Sequence, residues 1–269
     1  MRHSRTAACA TSLLLASACL FAAPTSAQGA PMTPAVGYVA LGDSYSSGAG
    51  AGDYLPGPKG CKRSNRAYPV LWASAHGTTS FAFPACNGAG TKDVLSGQLG
   101  PLGPRTRLVT LTVGGSDSGF ASVMAICDLG GTSRCLSTVA RARSKVDGTL
   151  VRNLDRLYSA IRDRAPAAHV VVLGYPHLYH LHGSCEVGLQ DRARAAVNDG
   201  VDHLDTVIAR RAAAHGFTFA DVRGTFAGHE ICSRSPWMHG IDVLAPTESY
   251  HPTAPGQSHG YLPALARVS

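Results

Sequence analysis

Charge is scarce in this chain: only 15% of its residues are Asp, Glu, Lys or Arg, where about 25% is usual for a soluble protein. Beside an apolar share of 45%, that deficit excludes a charge-rich disordered tail, a long coiled coil and a solvated linker. No Cys-x-x-Cys pair occurs, which removes zinc ribbons and dithiol redox sites. The Gly-rich stretches, Gly48 to Gly52 and Gly114-Gly115, lack the Lys-Ser/Thr ending of a phosphate loop, so nucleotide binding is not expected. Internal repeats and low-complexity tracts are absent. Basic residues are scattered, and the one cluster, Arg141 to Lys145, alternates with small residues as a helix's solvated face does. Nucleic acid is therefore not an expected partner.

What is present fits one domain. The chain has 269 residues, and domains hold about 100–200 each, so a single large core is expected. Thirty Gly and sixteen Pro follow no triplet period and read as loop chemistry. Arg2 and Arg5 precede an apolar run from Ala7 to about Ala23, followed by small residues. This is the pattern of a secretory signal peptide over 1–30, with cleavage after Ala27 or Ala30, leaving a single domain at 31–269. Its removal takes Cys9 and Cys19 away and lowers the net charge from +7 to +5. Six cysteines remain, an even number for an oxidising compartment, and three disulfides are the default. Order and loop sizes favour Cys61 with Cys86, Cys127 with Cys135, and Cys185 with Cys232.

Val36–Leu41, Ser80–Phe83, Arg107–Val113, Val170–Leu173 and Phe217–Val222 read as strands. Helical spacing marks residues 66–75, the run Leu150, Leu154, Leu157 and Ile161, residues 190–214 and a terminal helix over Pro255–Ala266. Alternating strands and helices predict a doubly wound parallel sheet. The stretches 46–63, 114–135, 175–189 and 223–250 are expected to be irregular and to follow the carboxyl ends of strands, where such sheets place their sites.

Two motifs carry chemistry. Leu41-Gly42-Asp43-Ser44-Tyr45-Ser46-Ser47-Gly48 follows the first strand. A Ser held at such a turn projects its hydroxyl and turns its own N–H to the same pocket, supplying nucleophile and oxyanion donor together. An Asp/Ser helix cap is the plainer reading of the same residues. Near the far end, Glu248-Ser249-Tyr250-His251-Pro252 places a His before the last helix, with a carboxylate three positions upstream that could orient its ring. His177, His180 and His182 read as a loop at the site's rim rather than a metal site, since no acidic residue or Cys completes them at ligand spacing. Asp117 reads as a cap of the helix that follows it.

With further blocks between them, these motifs resemble the SGNH (GDSL) hydrolases, and in particular their secreted bacterial lipase and phospholipase branch. The blocks are Cys61-Lys62-Arg63-Ser64 with Tyr68-Pro69, Ala85-Cys86-Asn87-Gly88-Ala89, the turn at 114–120, Gly174-Tyr175-Pro176, Pro236-Trp237 and His251-Pro252. The resemblance implies a three-layer α/β/α sandwich of flavodoxin-like type, no metal or other cofactor, ester hydrolysis and the neighbour-to-neighbour disulfides. It makes Ser44 the nucleophile and His251 the base, with the N–H groups of Ser44 and Gly88 in the oxyanion hole. At the remaining oxyanion position the family carries Asn, whereas this chain has Ser116, with Asn87 a candidate replacement donor. The orienting partner of His251 is either the Glu248 side chain or the Ser249 main-chain carbonyl.

The expectation is a secreted, monomeric serine esterase of lipase or phospholipase A type, acting on small-molecule or lipid esters with transient contact at a lipid interface. A carbohydrate O-acetyl esterase and a catalytically impaired binding protein of the same fold are the alternatives, the second motivated by Ser116.

Overall fold

The computed structural model describes residues 37–269, apart from 79, 184, 186 and 187. The leader expected at 1–30, with its cleavage points and Cys9 and Cys19, lies outside the described residues. Five parallel strands form one sheet in the order β2-β1-β3-β4-β5: β1 is Tyr38–Gly42, β2 Phe81–Ala82, β3 Leu108–Thr112, β4 His169–Leu173 and β5 Thr218–Ala220. This is the flavodoxin-like order, whose direction of winding reverses between β1 and β3. Strands β1 and β3 are buried along their whole length, which is why their sequences are apolar runs rather than alternating patterns.

The helices are α1 (Ser44–Ser47), α2 (Tyr68–Ala75), α3 (Thr91–Gly97), α4 (Gly115–Ser118), α5 (Phe120–Lys145), α6 (Val151–Arg164), α7 (Asp191–Ala214), α8 (Arg223–Phe226) and α9 (Leu262–Ala266). Strand β4 touches both α7 and α9, α2 packs on α9, and α6 lies between α3 and α7. The chain is thus an α/β/α sandwich. The strong amphipathic stripe of α6 buries Leu154, Leu157, Tyr158 and Ile161. The terminal helix expected at 255–266 is divided into a wider π turn over Gly256–Tyr261 and then α9.

Two expectations are corrected. Residues 114–135, read as irregular, contain α4 and the first sixteen residues of α5. Gly130-Gly131 and two cysteines made this stretch look like loop; Gly131 does leave helical geometry, at φ 73 and ψ 169, so α5 is two helices joined at a kink. The Cys127–Cys135 disulfide spans that kink. Asp117 caps not the helix after it but α3, accepting from Thr91 N at 2.9 Å and from the Thr91 hydroxyl. The other disulfides join Cys61 to Cys86 and Cys185 to Cys232.

Candidate active site

The site begins where β1 stops. Gly42 has φ +120, and a Cβ there would fall 2.4 Å from the Thr112 carbonyl oxygen of β3, so only glycine lets the two strands approach and the chain turn. The buried Gln98 side chain takes over the pairing that the short β2 does not reach: its Oε1 accepts from Gly42 N at 2.7 Å and its Nε2 donates to Gly42 O at 2.9 Å. Asp43 then caps α1, accepting from Tyr45 N at 3.0 Å. The cap reading and the nucleophile reading of this motif are compatible, because the cap is Asp43 and the residue presented is Ser44.

Asp43 is also the hub of a buried network. Its Oδ1 accepts from Thr112 Oγ1 at 2.6 Å and its Oδ2 from the Tyr175 hydroxyl, which in turn accepts from Gly115 N at 3.1 Å. The first residues of α1 and α4, from opposite sides of the β1/β3 reversal, are held through one carboxylate. Burial pushes the Asp43 pKa up to about 6, against the hydrogen bonds from Thr112 and Tyr175 that lower it.

Above this network lies a cavity of about 350 Å³ lined by Ser44, Asn87, Gly88, Ser116, Phe120 and His251 among others. Five positions singled out from sequence, scattered from residue 44 to residue 251, therefore face one space. Among the described residues no protein group accepts the N–H of Ser44 or of Gly88, or bonds the hydroxyls of Ser44 and Ser116. Gly88 has φ +81, a left-handed turn that glycine adopts without strain. Asn87 donates its amide to Gly60 O at 3.3 Å. Tyr45 and Phe120 both line the cavity, whereas Trp237 stacks on His229 with ring centroids 3.5 Å apart.

His251 is placed by the residue before it. Tyr250, at the unusual φ of 65, offers its carbonyl to the Tyr45 hydroxyl at 2.7 Å. Burial lowers the His251 pKa to about 4, with the charges of His239 and Lys62 adding to it, while the Ser249 and Glu248 main-chain carbonyls favour the protonated ring. Nδ1 is buried and has no hydrogen-bond partner among the described residues. The Glu248 carboxylate is turned elsewhere: its Oε1 accepts from Tyr54 at 2.8 Å and from Lys62 at 2.9 Å. Of the two orienting groups considered, the Glu248 carboxylate is committed to Tyr54 and Lys62, which leaves the main-chain carbonyls as the candidates.

The rim histidines do not converge. His177 pairs with Asp202, His180 with Glu230 and His182 with Asp191.

Residues 40–259, which span every one of these positions, match the family profile described as GDSL-like lipase/acylhydrolase. The chain belongs to that family. It is 56% identical over 265 residues to Lipase 1 of Streptomyces coelicolor, covering 98% of each chain. Identity to a lipase of Streptomyces rimosus is 54% over 265 residues, again with 98% of each covered. The fold matches the crystal structure of an extracellular lipase from Streptomyces rimosus at a TM-score of 0.85 and 54% identity, covering 87% of this chain and 100% of that one. A phospholipase A1 from Streptomyces albidoflavus matches at a TM-score of 0.85 and 51% identity over the same shares.

The GDSL motif supplied the nucleophile candidate and its turn. What sequence reasoning missed are the groups that hold this motif in place, Gln98, Thr112, Tyr175 and Asp205. Asp205 is buried, accepts from Tyr175 N at 3.0 Å and has its pKa pushed well up by burial. A buried carboxylate in the middle of α7 carries no local signal; only its apolar neighbours at helical spacing mark it as inward-facing.

Proposed function

We propose that the protein is a secreted serine carboxylic-ester hydrolase of lipase or phospholipase A type, working through an acyl-Ser44 intermediate. The observation that carries this is the single cavity onto which Ser44, His251, Gly88 and Ser116 all open. Ser44 Oγ attacks the ester carbonyl carbon while His251, kept neutral by the desolvation that lowers its pKa, takes the hydroxyl proton. The carbonyl oxygen becomes an oxyanion that receives hydrogen bonds from Ser44 N–H, Gly88 N–H and the Ser116 hydroxyl. His251 then returns the proton to the leaving alcohol. Water, deprotonated by the same ring, attacks the acyl carbon, releases the acid and restores Ser44.

The cavity wall favours acyl chains. Phe120, Val201 and Leu204 are shared between this cavity and a small apolar recess of about 50 Å³ between α5 and α7, which gives the chain a path away from Ser44. A sugar-bound acetyl group would leave that path empty. That its relatives are named as lipases and a phospholipase A1 supports the same substrate class.

Export belongs to the reading: the protein recovered from culture medium is expected to begin just after Ala27 or Ala30 and to run as a monomer. The activity itself is tested with chromogenic esters of increasing chain length, beside Ser44→Ala. Turnover that depends on Ser44 and rises from acetyl to octanoyl supports the proposal. A preference for acetyl assigns a deacetylase instead, and the absence of Ser44-dependent turnover on any ester leaves a binding protein.

A further inference from the structure

One face of α5 breaks the usual rule for a surface helix. Positions 121, 122, 125, 126 and 129 are exposed and lie on one side at helical spacing, yet they carry Ala, Ser, Ala, Ile and Leu where charged residues are expected. Leu129 is 90% exposed. The face starts at the cavity itself, since Ala121 and Ser122 line it.

A second apolar element is tied to α5 at its base. His239 N donates to His251 O at 2.9 Å and Tyr250 N to His239 O at 3.1 Å, closing a loop whose base is the candidate base itself. Its tip presents Ile241, Val243 at 82% and Leu244 at 94% exposure. Tyr250 ties the loop to α5: its hydroxyl donates to Asp128 Oδ2 at 2.6 Å, and its ring meets Phe120 edge-on at 6.2 Å. Leu129 adjoins that Asp128.

Much of the polarity of this rim is already used. Asp242 Oδ1 accepts from Leu244 N and Ala245 N, both at 2.9 Å, and Ser249 Oγ accepts from Asp242 N. Glu248 is paired with Lys62, and Asp128 Oδ2 accepts from Tyr250. A loop that leaves water must satisfy its N–H groups internally, and three of those at the tip are satisfied in this way. Exposed Leu, Ile and Val side chains on two elements that are joined beside the cavity gain nothing for the fold, and they mark a contact surface.

We propose that this rim, Ile126 and Leu129 on α5 with Ile241, Val243 and Leu244 on the 239–251 loop, docks on the surface of aggregated lipid and seats the cavity mouth against it. The proposal rests on the reading of the cavity as an acyl-ester site, which makes lipid the occupant that has to reach the mouth. A net charge of +5 after loss of Arg2 and Arg5 sets no barrier to a zwitterionic or anionic phospholipid surface.

The test uses the whole mature chain with Ser44→Ala, so that bound lipid is not consumed, and phosphatidylcholine vesicles pelleted by centrifugation. Replacing Leu129, Val243 and Leu244 together by Ser is expected to lower the pelleted fraction's apparent affinity at least tenfold. In the active background, the same replacements leave turnover of a soluble butyrate ester within about twofold, which reports an intact site. Leu244→Trp gives a second readout that needs no loss of contact: its emission shifts to the blue on adding vesicles. A parent protein that does not pellet, a triple variant that pellets as well as the parent, or an unshifted Trp overturns the proposal. A dimer that the substitutions dissolve while vesicle binding persists assigns the rim to a second copy and also overturns it. Rim-dependent vesicle binding without Ser44-dependent ester turnover would sink the functional reading and leave the docking surface standing.

Discussion

Tyr45 Oη donates to the carbonyl oxygen of Tyr250 at 2.7 Å, which joins the residue after Ser44 to the residue before His251. Both ends of the candidate dyad are thereby registered by their own neighbours, across 205 positions of sequence. The ring of Tyr45 also packs against His251, centroids 5.3 Å apart, and edge-on against Tyr175 at 5.0 Å. Its hydroxyl is a positioning group, since it touches neither reacting atom.

Tyr45→Phe keeps the ring and removes the donor. It leaves the Tyr250 carbonyl buried without that partner, at a cost of about 1–3 kcal/mol in stability. Because the loop before His251 then loses its register, kcat on a soluble ester is expected to fall about tenfold with KM nearly unchanged. Thermal unfolding and steady-state kinetics check the two halves, and equal kcat in the variant would remove the positioning role.

Glu248→Gln distinguishes the two ways of orienting His251. The carboxylate is committed to Lys62 and Tyr54, and an ion pair this near the surface contributes about 1 kcal/mol or less. Turnover is expected to stay within about threefold of the parent. A loss of two orders of magnitude would place the Glu248 side chain, and not the main-chain carbonyls, at the ring.

These pairs also show what could be read from the chain. Strands β1, β3 and β4 were legible because burial on both faces makes continuous apolar runs, and Ser44 and His251 because nucleophile and base chemistry restrict the residue types at turns. The Glu248 side chain and the Ser249 carbonyl could not be separated, since a main-chain acceptor leaves no trace in sequence. Asp43 with Tyr175, and Gly42 with Gln98, were hidden for another reason: each pairing joins distant segments and has no period. Helix α5 was obscured by Gly130 and Gly131: the break that Gly131 makes is a kink within the helix and not the end of it.

The pH dependence follows from opposite shifts at His251 and Asp43. The acid limb of kcat/KM is expected near pH 4, where His251 titrates, rather than at the ordinary 6.5. Between about pH 4 and 6.5 the unfolded chain binds a proton on this His that the folded one does not, so its contribution makes stability fall as pH is lowered through that window. Asp43, with a folded pKa of about 6, has the reverse sign: its stabilising contribution is greatest below about pH 4 and is lost as pH rises through 6. Rate profiles and denaturant unfolding from pH 3.5 to 8, compared with Asp43→Asn, separate the two. An acid limb at 6.5 would mean that His251 is not desolvated.

Ser116 is where this chain departs from the family's residue pattern, and it makes the sharpest prediction about rate. Its hydroxyl opens on the cavity shared with Ser44 and Gly88 and is bonded to no protein group among the described residues, but it is shorter than an Asn amide and free to rotate. Removing an oxyanion donor altogether costs about 10²–10³ in turnover; a hydroxyl that reaches the oxyanion in part of its rotamers recovers some of that. Asn87 has one of its two amide N–H groups committed to Gly60 O. Ser116→Asn is therefore expected to raise kcat on short-chain esters about tenfold or more, with KM little altered, because the gain arises only once the oxyanion exists. The structure leaves room for the larger side chain on the cavity side, while α4 keeps its anchor through Gly115 N and Tyr175. Unchanged or lower turnover in the variant, with the fold intact by thermal unfolding, would show that the Ser44 and Gly88 N–H groups already supply the stabilisation and that Ser116 serves the pocket's shape instead.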